Sequence, residues 1–117
     1  MNGPTPYLNA RVLAESSAVD NNVATATAAA VVGVRHFMTG VIVSFSAAPA
    51  AAYKTITVKL GTTAVANFAF DPLKAPLVII PFPSPIHGDY NQAVSAVLSA
   101  SGTGGVTGTV TLFGWDQ

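Results

Sequence analysis

The sequence predicts an all-β protein, a single antiparallel β-sandwich that is jelly-roll-like and preceded by an extended N-terminal arm. Three observations carry this expectation. Apolar and hydroxyl residues alternate through Ile56-Thr57-Val58-Lys59-Leu60 and through Val106-Thr107-Gly108-Thr109-Val110-Thr111-Leu112, and a period of two sends one side-chain set inward and the other outward along a strand. About eight such stretches follow one another, each bounded by Gly, Pro, Asn or Asp, and none reads with assurance as a helix, which is the pattern of a sandwich or jelly roll. No repeat at a fixed period is present, which disfavours a solenoid or propeller.

Residues 1–22 differ in character from the rest, with Pro4, Pro6, Arg11, Glu15 and the turn-prone Asp20-Asn21-Asn22. They read as an arm or a loosely held edge segment, in which Tyr7, Leu8, Val12 and Leu13 anchor the chain against a neighbouring subunit or its own sheet. Residues 23–117 form the sandwich. The stretch 23–32 is Ala-rich, which favours helix by propensity, but Thr25, Thr27, the β-branched ends and Gly33 favour a strand. Residues 34–46 make the longest strand candidate, with Phe37, Val41, Val43 and Phe45 on one face and His36, Met38, Ile42 and Ser44 on the other. Both faces are partly apolar, as in a central strand or one that faces a partner.

Residues 47–53, containing Pro49, form a loop, and 54–60 with 63–70 make a hairpin around Gly61-Thr62, ended by Asp71-Pro72. A short buried strand at 77–82 leads into a stiff, extended exit set by Pro81, Pro83 and Pro85, and 84–90 is loop. Residues 92–100 alternate again, with Val94, Ala96, Leu98 and Ala100 on one side. The Gly-rich segment 101–105 is a flexible connection to the last strand, 106–115.

Composition limits function more than it defines it. Five basic and five acidic residues give a formal net charge of zero and stand singly, so no run of Lys or Arg exists to neutralise successive phosphates, and nucleic acid is not an expected partner. So little charge also gives weak protection against self-association. Half the residues are hydrophobic, but many are Ala, which supplies little of the area whose burial is worth roughly 25 cal/mol per Å². Association, as a homotrimer or on a larger assembly, is therefore expected to supplement the core.

There is no cysteine, hence no disulfide and no thiolate metal ligand. Met1-Asn2-Gly3-Pro4 lacks the basic segment and apolar core of a signal peptide, which is expected to be absent or already removed. Residues 36–53 are free of Asp, Glu, Lys and Arg and about as long as a membrane span, but Gly40, Pro49 and the serines interrupt them, so a strand fits better than membrane insertion.

The inventory for chemistry is thin. Histidine occurs at positions 36 and 87. His36 lies in a strand pattern beside Arg35, where a structural role is favoured over a base. In His87-Gly88-Asp89-Tyr90 an extended backbone points His87 and Asp89 the same way, as metal binding or water activation requires, but two ligands do not make a site, and a turn with Asp89 bonding nearby amides is favoured. No G-x-S-x-G elbow is present, and the acids at 15, 20, 71, 89 and 116 show no spacing that suggests glycoside cleavage. Residues 101–105 lack the P-loop lysine and lead into a strand instead of a helix. No catalytic, metal or cofactor-binding residue is expected, and no enzyme.

Aromatic residues offer a binding route, since Tyr53, Tyr90, Phe113 and Trp115 suit sugar stacking or protein contact. Phe113 and Trp115 share the face of Thr107, Thr109 and Thr111, which becomes large and apolar toward the C-terminus, as an interface would; Trp115 closing the core is the competing reading. The candidate interface residues are Tyr7, Leu8, Val12, Leu13, Pro83, Ile86, His87, Tyr90, Phe113 and Trp115.

The stretch Val34-Arg35-His36-Phe37-Met38-Thr39-Gly40-Val41, the hairpin at Lys59-Leu60-Gly61-Thr62-Thr63, the Ile80-Pro81-Phe82-Pro83 step and the terminal Thr109-Val110-Thr111-Leu112-Phe113-Gly114-Trp115 together resemble small β-sandwich virion proteins of tailed bacteriophages, among them capsid decoration or cement proteins. The resemblance is one of texture over most of the chain. It implies a jelly-roll-like sandwich, often trimeric, made in the host cytoplasm and bound to the major capsid protein on the virion surface, where it stabilises the shell against internal DNA pressure. Residues 1–22 and 81–90 are then the expected contact regions. A tail or fibre component and a carbohydrate-binding β-sandwich module are the alternative readings.

Overall fold

Strand follows strand along the chain because alternation continues from turn to turn, and the computed structural model, which describes residues 11–49, 53–75 and 77–117, holds no helix among them. The elements are β1 (Arg11–Val19), β2 (Ala24–Ala28), β3 (His36–Phe45), β4 (Lys54–Leu60), β5 (Thr63–Phe70), β6 (Leu77–His87), β7 (Val94–Leu98) and β8 (Thr107–Asp116). They form two antiparallel sheets of four, β1-β8-β3-β6 and β2-β7-β4-β5. Pairing of β1 with β8, β2 with β7, β3 with β6 and β4 with β5 is that of one long hairpin. Wrapping that hairpin on itself adds β3 to β8 and β4 to β7, which gives the jelly-roll order.

The core lies between the sheets. Ala24, Ala26, Ile56, Val58, Val94, Ala96 and Leu98 of one sheet meet Met38, Val41, Val43, Phe82, Val110 and Leu112 of the other, all buried. Two aromatic pairs bridge the side where β5 and β6 lie: Phe68 stacks on Phe82 with ring centroids 6.0 Å apart, and Phe45 on Phe70 at 6.1 Å. Beside the irregularity of β1 at Leu13 the chain uses Gly114, whose position has no room for a Cβ against the Phe37 carbonyl and the Leu13 side chain.

Several sequence expectations are revised. Within the segment 1–22, which the sequence offered as an arm or an edge segment, residues 11–19 form β1 and pair with β8 along their length as an edge strand, and residues 1–10, with Tyr7 and Leu8, lie outside the described residues. The expected faces of the longest strand are exchanged in part. A register shift between Met38 and Gly40 flips the parity, so His36 and Met38 point inward together with Val41, Val43 and Phe45. Opposite that shift β6 carries extra chain, since Met38 faces Ile86 while Gly40 faces Pro81, and the excursion delivers Phe82 into the core.

β6 therefore continues through the prolines to His87, where a loop from residue 84 was expected. An edge strand tolerates prolines because its outer amides need no partner. The segment 101–105 is tied down instead of flexible. Asp20, at φ 62°, accepts the Gly105 amide on Oδ1 at 2.7 Å and the Gly102 amide on its carbonyl at 3.0 Å. The buried Ser101 hydroxyl lies 2.9 Å from the Asp20 carbonyl and 3.0 Å from that of Val106.

Candidate functional site

The two outer faces of the sandwich are chemically different. On the β2-β7-β4-β5 sheet the register aligns two outer rows, Thr27, Ser95, Lys59 and Ala64, and Thr25, Val97, Thr57 and Asn67. This face is mostly hydroxyl, amide and ammonium. On the β1-β8-β3-β6 sheet the register sets Val12 beside Phe113, Phe113 beside Gly40 and Gly40 beside Pro81. The next row is Glu15, Thr111, Ile42 and Ile79, and the next Ser17, Thr109, Ser44 and Leu77. Val12, Leu77 and Ile79 are 48%, 58% and 64% exposed, which places an apolar band diagonally across the sheet.

Gly40 shapes that band. With no side chain between Phe113 and Pro81, the surface sinks into a depression of about 230 Å³, walled by Ile42, Ile79, Pro81 and Phe113. A Cβ at position 40 would stand 2.7 Å from the Ile80 carbonyl oxygen, so the close approach of β3 and β6 requires glycine here.

At one end of the face an aromatic corner is built by three strands in register. Phe37 stacks on Trp115 with centroids 4.9 Å apart and planes 6° from parallel, and meets the His87 ring at 5.1 Å. Trp115 is 7% exposed, yet it is on the outer side of its sheet, because Leu112 and Val110 take the inner parity. The core-closing reading of Trp115 does not hold, since it closes the corner of the outer face and stays outside the core cluster.

Behind the corner a polar link fixes the end of β8. His36 Nδ1 lies 2.6 Å from Asp116 Oδ1 and Nε2 lies 2.7 Å from the Ala29 carbonyl oxygen. The ring thus bridges a β8 carboxylate and a backbone carbonyl that lies beyond β2. Arg11 Nη2 holds the other carboxylate oxygen of Asp116 at 2.8 Å. His36, at 3% exposure, joins β3, β8 and the chain after β2.

His87 donates from Nδ1 to the Gly88 carbonyl at 3.0 Å, while the Asp89 amide donates to Gln92 Oε1 at 2.8 Å. Among the described residues no three His, Cys, Asp or Glu side chains stand close enough to hold a metal ion. Tyr90 sits under the Arg35 guanidinium at 4.7 Å, in the loop whose Ala93 carbonyl accepts the Gly61 amide at the far end of β4. Tyr53 precedes Lys54 at the near end, so β4 separates the two tyrosines by roughly 20 Å at 3.3 Å per residue. They do not form one platform with Trp115.

Of the expected interface residues, the structure brings Val12, Phe113, Trp115 and His87 to this outer face. Leu13 and Ile86 turn inward and pack on the core, Pro83 is exposed on the β6 excursion and Tyr90 lies beyond the face. Sequence reasoning missed Phe37, Gly40, Ile42, Leu77 and Ile79, while Pro81 falls at the start of the expected contact region 81–90. The available signal was Leu77-Val78-Ile79-Ile80-Pro81, apolar on both parities in a strand whose following prolines mark it as an edge. The chain matches no family model, no curated protein and no solved structure at a significant level.

Proposed function

We propose that the protein is a structural protein of a tailed-bacteriophage virion that decorates and stabilises the capsid, binding the major capsid protein through the outer face of β1-β8-β3-β6. The observation that supports this reading is the exposed apolar band of the β1-β8-β3-β6 face, where Val12, Leu77 and Ile79 stand exposed and Ile42, Ile79 and Phe113 wall a depression. Exposed apolar area of this kind marks a contact surface. Full burial of an aliphatic side chain is worth roughly 1.5–3 kcal/mol, so a few such residues make a modest contact that gains strength when symmetry repeats it over a shell. The bound protein acts by occupancy, and the virion context comes from the resemblance of the chain to cement proteins.

Capsids of the phage that encodes this chain, prepared without it, provide the test. Incubated with purified protein and pelleted, they are expected to take up the wild type and the Thr57→Asp variant but not Ile79→Asp or Ile42→Asp. Equal uptake of all four proteins, or loss with Thr57→Asp alone, would overturn the assignment of the face.

A further inference from the structure

We propose that two copies of this chain associate edge to edge through β5, antiparallel about a two-fold axis, joining their β2-β7-β4-β5 sheets into one. The four sheet edges are not equivalent. β6 is broken by Pro81, Pro83 and Pro85, β1 carries Arg11 and Glu15, and β2 is five residues long. β5 is eight residues long, Thr63-Ala64-Val65-Ala66-Asn67-Phe68-Ala69-Phe70, with neither charge nor proline. Natural edges are normally blunted by charge, proline, brevity or bulges. The one irregularity of β5 falls at Val65, where the ladder to β4 shifts between Val58 and Lys59, which leaves residues 66–70 regular.

The side of the sandwich at β5 is also unfinished. Ala66, Phe68 and Phe70 share the inner parity with the buried Ile56 and Val58, yet none of the three is buried, and every residue of β5 is at least partly exposed. A further strand hydrogen-bonded to β5 extends the sheet past these rings and covers them. A second copy fits because the strand is its own complement. About a two-fold axis at Phe68, Ala66 of one copy lies opposite Phe70 of the other and Asn67 opposite Ala69, small against large, with no like charges facing each other. Such an isologous pair closes on itself. It leaves the outer face of the other sheet free, so it is independent of what binds there.

Equilibrium sedimentation at micromolar concentration is expected to return twice the chain mass of 11.9 kDa. The double variant Asn67→Lys/Ala69→Lys sets lysines opposite each other across the axis and is expected to raise the dimer dissociation constant about tenfold or more, with an unchanged circular dichroism spectrum. Ile79→Lys, on the other sheet, is expected to leave the dimer intact. A monomeric or trimeric wild type would overturn the proposal, as would dissociation caused by Ile79→Lys and not by the lysine pair. If the double variant fails to fold, hydrogen exchange of the wild type decides: amides of residues 66–70 gain protection as concentration rises, and concentration-independent exchange refutes the pairing.

Discussion

Gly40 and His36 show how single residues set the geometry of the β1-β8-β3-β6 sheet. The pressure on Gly40 is steric, because its Cβ would meet backbone of β6, which cannot swing aside as a side-chain tip does. Gly40→Ala is expected to destabilise the fold by about 1–3 kcal/mol, the usual range for overpacking, whereas Gly104→Ala, with nothing within 4 Å, should melt within a degree or two of the wild type. Equal melting temperatures for both variants would show that β3 and β6 separate easily. His36 is tested by a double-mutant cycle with Asp116. Removing either partner leaves a poorly hydrated acceptor or donor, so His36→Leu is expected to cost about 1–3 kcal/mol, and the cycle with Asp116→Asn should give a coupling of about 0.5–3 kcal/mol. A coupling of zero in urea titrations would mean that the short contact contributes nothing.

Among the elements, β6 departs most from its sequence pattern, and its excursion explains why. Alternation from Leu77 to Pro81 was legible, but the position of a bulge depends on what lies opposite, and the extra chain at Phe82 compensates a shift at Thr39 far away in sequence. Period-two reading cannot see that pairing, so the faces of β3 were misassigned beyond Met38. The hairpin of β4 and β5 was legible to the residue, because Gly61-Thr62 is a local signal. β1 read as either an arm or an edge segment because its polar residues suit both. Phe82 offers the test of the excursion: it is 2% exposed and stacks on Phe68 across the sandwich. Phe82→Ala is expected to cost about 3–5 kcal/mol, against less than about 0.5 kcal/mol for the exposed Ser84→Ala next to it. Similar denaturation midpoints for the two would place Phe82 outside the cooperative core.

At the scale of the molecule the thin charge inventory becomes a property of its contacts. Part of the outer face of β1-β8-β3-β6 was readable in advance, since Val12, His87, Phe113 and Trp115 stand on it. The rest required sheet order, because Ile42 and Ile79 become neighbours only when β6 joins β3. Glu15 is the one carboxylate in the rows of that face, and the guanidinium of Arg11 is already paired with Asp116. The proposed association through this surface would therefore rest on apolar burial, which salt does not screen, and owe little to charge steering. Capsid uptake of the protein is expected to change less than about threefold between low and physiological salt, where an interface built on several charged contacts loses affinity steeply. Sulfate should strengthen it, because excluded salts favour burial. Binding isotherms in sodium chloride and sodium sulfate measure both effects, and a steep fall with chloride would place the contact on the charged loops at the sandwich ends instead of on the β1-β8-β3-β6 face.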